Sequence, residues 1–287
     1  MTAAVLAFEE EGSGERLVCM PGGPGFPPDY LRSLRELSGS RTVTLLHPRG
    51  TGRSPAPADR AAYRIDDYVA DLELTRRHLG LERLDLLGHA HGGIVAARYA
   101  AAHPERVNAL VLLNTPAYGG GRAEQRAAEF FASREGEPGV AAALAALDEP
   151  DGDAYSSPRE LGRRIAEILP LWLARPETAG ADWAALSRTL TVNPDAALFF
   201  NQQVFPRLDV TWAAAAIACP TLVLTGDRDP YAGPEHADEL AAVIPGARVR
   251  VLPGAGHMSQ VDAPGPVRRA VLDFLENLDG TAERTQP

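Results

Sequence analysis

Leu84-Asp85-Leu86-Leu87-Gly88-His89-Ala90-His91-Gly92-Gly93-Ile94-Val95 leaves this chain few ways to fold. An apolar run of strand length meets a glycine, reverses within a few residues, and continues as an alanine-rich helix. A strand-to-helix turn this tight needs small flanks, which Gly88 and Gly92 supply, and Gly93 lets the helix lie close to a sheet. The stretch has the form of a nucleophile elbow, Gly-x-Ser-x-Gly. At its apex, where a hydroxyl would project, stands Ala90.

The flanking segments predict what that elbow is built into. Strands are expected over Ala3 to Phe8, Arg16 to Met20 and Thr42 to Leu46, with a short helix from Asp29 to Leu37. Ile65, Tyr68, Val69, Leu72 and Leu79 recur at helical spacing, and Asp66, Asp67 and Asp71 charge the helix start favourably. Val107 to Asn114 is another apolar run. Strand and helix in alternation imply a mostly parallel sheet with helices on both faces. From about residue 117 to 210 the alternation stops and the chain reads as helix and loop, with Leu161, Ile165, Ile168, Leu169, Trp172 and Leu173 in one stripe kinked by Pro170. Strands return at Thr221 to Thr225 and Arg248 to Leu252, before a last helix with Val267, Ala270, Val271, Phe274, Leu275 and Leu278 on one face. The predicted organisation is an α/β core of residues 1–116 and 211–287, interrupted by a helical cap of residues 117–210.

Charge narrows the partners. The formal net charge is -10, and the 28 basic residues are all arginine, so a phosphate-backbone partner is disfavoured. No apolar run approaches the ~20 residues of a membrane span. The N-terminus lacks the basic and long apolar regions of a signal peptide, which makes the cytoplasm the default location. Cys19 and Cys219 each adjoin an apolar run and read as buried, unpaired thiols. Neither metal spacing nor a cofactor motif is evident, so no cofactor is expected, and the partner is a small-molecule substrate. Oligomeric state is not written in the sequence.

Two further stretches carry chemistry in the order that follows a nucleophile elbow: acid, then histidine. Gly226-Asp227-Arg228-Asp229 closes a strand, and Gly254-Ala255-Gly256-His257-Met258 follows the last one. Asp229 is the candidate to orient His257, with Asp227 the close competitor, and His257 is the candidate general base. Taken alone, such an aspartate is usually a turn former and such a histidine a solvated side chain; their joint order and strand context favour catalysis. Pro21-Gly22-Gly23-Pro24-Gly25 suits an oxyanion loop, because glycines let backbone N–H groups approach a substrate oxygen. Gly23 and His91 are the candidate donors. The His91 ring either lines the pocket or packs around the elbow, and for His89 packing is the preferred reading.

Together with Pro48-Arg49-Gly50-Thr51-Gly52-Arg53-Ser54 and Gly88-His89-Ala90-His91-Gly92-Gly93, that loop resembles the proline iminopeptidase branch of the α/β-hydrolases. The resemblance covers about two-thirds of the chain. It implies an α/β-hydrolase fold, a serine at the elbow and a helical cap between the sixth and seventh sheet strands. Three motif positions depart from the branch: Pro21 replaces a histidine, His47-Pro48 replaces Asp-Gln, and Ala90 replaces the serine. The branch's cap also has a Trp-Glu pair that binds a substrate amine, whereas Trp172, Trp183 and Trp212 are followed by Leu173, Ala184 and Ala213. Glu160, Glu167 and Glu177 are alternative amine ligands, and solvated charges are the plainer reading of them. Trp172 is a candidate substrate contact.

The implied parent activity is acyl transfer to water from a small ester or amide. Ala90 is then the mark of an inactivated variant, or of a native protein that binds or catalyses without a nucleophile. The intact acid and histidine favour the first. An iminopeptidase-type aminopeptidase is the alternative hydrolase; epoxide hydrolase and dehalogenase chemistry, which need Asp at the apex, are disfavoured.

Overall fold

The computed structural model describes residues 3–137, 139–149, 152–176 and 189–283. Seven strands form one sheet in the order β1-β3-β2-β4-β5-β6-β7. β1 (Phe8–Glu11) runs antiparallel to β3 (Thr42–Leu46), and β2 (Arg16–Met20), β4 (Leu84–His89), β5 (Val107–Leu113), β6 (Thr221–Gly226) and β7 (Arg248–Leu252) continue it in parallel. β4 and β6 are buried throughout, as apolar strands covered on both faces must be. β7, at the edge, exposes Arg248 and Arg250, charges that discourage further strand pairing.

Two helical layers cover the faces. On one, α1 (Ile65–His78), α2 (His91–Ala102) and the helix Pro234–Val243 bury Tyr68, Leu72, Val95, Tyr99 and Leu240. On the other, the 3₁₀ helix Pro28–Gly39 and the C-terminal helix Pro264–Glu283 bury Leu31, Leu34, Val267, Val271 and Phe274. Cys19 and Cys219 are unpaired and buried within these layers, and burial pushes their thiols up to about 12 and about 11.

Between β5 and β6 the described residues form no further sheet strand. They include α3 (Gly120–Arg134), α4 (Val140–Asp148), α5 (Pro158–Ile168) and the helix Pro194–Phe199. Ala127, Phe131, Val140, Ala143 and Leu171 make a small core of their own there. The α5 stripe does not bend at Pro170; the α-helix stops at Ile168 and a 3₁₀ turn, Leu169–Leu171, replaces it, since a proline in the next turn removes a helix donor.

One strand differs from expectation. Apolar patterning predicts a strand over Ala3 to Phe8, but β1 begins only at Phe8. The backbone N–H groups of Ala4, Leu6 and Ala7 donate instead to side chains of Asp71, Thr75 and Ser54. Such patterning cannot distinguish a ladder from an extended segment tied down by side chains.

Candidate active site

β4 delivers the elbow at the carboxyl edge of the sheet. Ala90 adopts φ 50° and ψ -116°, backbone that a residue bearing a Cβ rarely takes, between the end of β4 and the first turn of α2. Its N–H donates to the Leu113 carbonyl at 3.0 Å and its carbonyl accepts from Gly93 and Ile94. The turn closes only because its flanks are bare: a Cβ on Gly88 would overlap the Gly92 backbone, and one on Gly92 would overlap the Met20 and Pro21 carbonyls.

The loops after β6 and β7 bring Asp229 and His257 together. Both Asp229 carboxylate oxygens lie 3.0 Å from His257 Nδ1. Asp229 also accepts from the Asn114 amide at 2.8 Å and from the Tyr231 and Ala232 backbone. Burial opposes its charge, but His257, Asn114 and the backbone donors outweigh burial and hold the carboxyl below its ordinary value. Asp227 acts away from the ring, accepting from Gly254 N–H at 2.7 Å and so shaping the histidine loop. With Nδ1 given to Asp229, His257 keeps Nε2 for a substrate or nucleophile.

Ala90, His91, Gly23, Trp172 and His257 all line one cavity of about 500 Å³. Its remaining wall is largely apolar and includes the aromatic rings of Phe26, Phe131, Phe200 and Tyr231. His91 opens α2, so its N–H lacks an intrahelical acceptor, as every first-turn donor does. The His91 ring lies edge-on to Tyr68 and Phe200, and burial lowers its pKa to about 3, which keeps it neutral. It therefore both packs and lines the pocket. Trp172 is edge-on to His257 with centroids 6.4 Å apart.

Other candidates lie elsewhere. Trp212 is 78% exposed and faces Arg98 outside the cavity. Glu160 and Glu167 pair with Arg163 on the outer face of α5. Glu177 and Trp183 fall outside the described residues. Among the described residues no group of three or more His, Cys, Asp and Glu side chains could hold a metal ion, and no helix is long and apolar enough to cross a membrane.

Sequence reasoning misses three contributors. Asn114 takes φ 45° at the end of β5 and donates to both Asp229 and the Gly256 carbonyl. A polar residue directly after the apolar run Ala109 to Leu113 is the available signal. His89, for which packing is expected, is hydrogen-bonded at both ring nitrogens, to Tyr30 and to the His257 carbonyl, so the packing reading is incomplete. Tyr30 carries no signal, since nothing local distinguishes it from a core aromatic.

Known proteins share this architecture. The α/β hydrolase fold family matches residues 15–264. The polyketide synthase ThaQ of Burkholderia thailandensis is 32% identical over 279 residues, which are 95% of this chain; the chain spans only 12% of that protein. A proline iminopeptidase of Heyndrickxia coagulans is 26% identical over 278 residues, covering 94% of each. The crystal structure of a hydrolase from Pseudomonas aeruginosa PA01 is similar with a TM-score of 0.72 and 26% identity, again over 94% of each chain. This chain belongs to the α/β hydrolase fold family, and proline iminopeptidases are among the proteins it is similar to.

Proposed function

We propose that the cavity is a serine-hydrolase site whose nucleophile position is occupied by Ala90, and that its substrate is a small ester or amide with an apolar acyl part. The observation that carries this reading is the His257–Asp229 pair, complete, with its carboxylate buried and its imidazole on the same cavity as an apex that keeps its strained backbone. A largely apolar wall favours the apolar acyl group, which residues 117–210 would cover as a helical cap over a core of residues 1–116 and 211–287.

With a hydroxyl at position 90, the steps follow from the donor set. The hydroxyl oxygen attacks the substrate carbonyl while His257 Nε2 takes its proton, and Asp229 stabilises the imidazolium and fixes its tautomer. The N–H groups of Gly23 and His91 receive the oxyanion. His257 then protonates the leaving group, and water repeats the sequence to free the acid. Without the hydroxyl, turnover falls by about 10⁶ on the scale of other serine hydrolases while binding is largely kept. The chain with Ala90 would hold substrate without turning it over.

An iminopeptidase-type aminopeptidase is the second reading. Glu124, an exposed carboxylate lining the cavity, favours it as a partner for a substrate amine. Ala90→Ser tests both. Hydrolysis of p-nitrophenyl butyrate by Ala90→Ser, absent in the parent, is the expected result, and faster release from proline β-naphthylamide would select the aminopeptidase. Failure on both substrates would contradict the hydrolase reading and favour a protein that binds its ligand, or uses His257 as a base, with no nucleophile of its own.

A further inference from the structure

We infer that His89 and Tyr30 are positioning residues that lock the oxyanion loop and the His257 loop to a single point on β4, so that the base and the oxyanion donor keep a fixed separation. The hydrogen-bond directions are determined by the chemistry of the groups. A carbonyl can only accept, so His89 Nε2, 2.9 Å from the His257 carbonyl, must carry the ring proton. Nδ1 is then bare and accepts from the Tyr30 hydroxyl at 2.9 Å. That leaves the Tyr30 oxygen as acceptor for the Gly22 N–H at 2.5 Å. The chain of donors runs Gly22 N–H to Tyr30 O–H to His89, and His89 Nε2–H to His257 C=O, with no direction left open.

Burial and packing keep the relay in this one arrangement. Tyr30 and His89 are 3% and 2% exposed. Their rings meet edge-on at 5.4 Å, and His89 lies 5.3 Å from the His257 ring. A Cβ on Gly22 would come within 2.6 Å of the His89 carbonyl and 3.0 Å of the Ala90 β-carbon, so the oxyanion loop rests directly on the elbow. Burial first, and the neighbouring His257 second, lower the His89 pKa to about 3, and only the neutral ring can accept at Nδ1. His89 grips the backbone of the residue whose side chain is the base, while Tyr30 grips the residue preceding Gly23. Displacement of either loop moves one catalytic group relative to the other, the kind of misplacement that costs rate rather than binding.

The catalytic arm of the test rests on the hydrolase reading; the spectroscopic arm does not. In the chain with Ala90, ¹⁵N-edited imidazole spectra should show His89 protonated at Nε2 only, unchanged from pH 8 to pH 5, and Tyr30→Phe should shift the His89 Nδ1 resonance and the His257 ring signals together. A His89 proton on Nδ1, titration near 6.5, or an unmoved His257 would overturn the relay. In the Ala90→Ser background, His89→Ala should lower kcat by about 10²-fold and Tyr30→Phe by roughly tenfold, with KM held within about threefold. His89→Gln, whose amide can still donate to the His257 carbonyl, should recover at least about fivefold over His89→Ala. Loss confined to melting temperature, with kcat within about twofold in Tyr30→Phe, marks packing alone and refutes positioning. Should Ala90→Ser be inert, the hydrolase reading fails and the spectra alone decide the relay; should His89→Ala not fold, Tyr30→Phe decides it.

Discussion

At the scale of single residues, Asp229 and His257 are held by several bonds each, while Ala90 presents only a methyl group to the same cavity. Ala90 keeps positive φ without the freedom of a glycine, because Gly88 and Gly92 make room on either side. Asp229 and Asp227 lie two residues apart and do different things, which gives a direct prediction. In an Ala90→Ser background, Asp229→Asn should lower kcat by roughly 10⁴-fold, as expected when the histidine loses its proper tautomer, whereas Asp227→Asn should cost less than about tenfold. Steady-state kinetics on one ester decide it, and equal losses would contradict the assignment. The places of Ala90, Asp229 and His257 at strand ends were legible in the sequence because each closes or follows a strand within a recognisable local pattern. The parts of His89, Tyr30 and Asn114 were not, since their meaning depends on partners 59 and 115 residues distant that only the folded sheet brings near.

At the scale of elements, the loops around the site are held by cross-ties between segments that sequence treats as separate. The loop after β3 is fixed by Arg49, buried and bonded to Asp71 at 2.7 Å and to the Ala62 and Asp67 carbonyls. Asn193 joins that loop to the inserted helices: its amide donates to the Gly50 carbonyl and the Tyr63 hydroxyl, while its oxygen caps the helix Pro194–Phe199. Its own N–H donates to the Gly25 carbonyl in the loop after β2. Asn193→Ala removes a helix cap and strands two partners, so urea unfolding should show a loss of about 2 to 3 kcal/mol. A loss below about 0.5 kcal/mol would mean that this junction is not where the insertion is tied down. The order of strands and helices could be read from periodicity, and most strands nearly to the residue. β1 could not, because its upstream residues satisfy their backbone with side chains, and the proline that ends α5 looks the same in sequence whether it bends a helix or stops one.

At the scale of the whole molecule, buried histidines shape how the fold responds to acid, and three of the four, His47 being the other, are shifted furthest. Burial lowers His89 and His91 to about 3 and His236 to about 4, against an ordinary value of 6.5. Each is neutral in the folded state and takes up a proton on unfolding once pH falls below 6.5, so its contribution is full above that value and is lost toward pH 3 to 4. Each can remove up to about 1.4 kcal/mol of stability per pH unit in that window. Denaturant midpoints measured from pH 8 to pH 5 should therefore be flat above 7 and fall progressively below 6.5; a rise on acidification would contradict the burial of these rings. The account as a whole depends on a hydroxyl at position 90 being all that the site lacks. Intact-mass measurement after treating Ala90→Ser with a fluorophosphonate tests that most directly. The account predicts one phosphonyl adduct, absent in the parent and in Ala90→Ser combined with His257→Gln; a folded Ala90→Ser protein that gains no mass would contradict it.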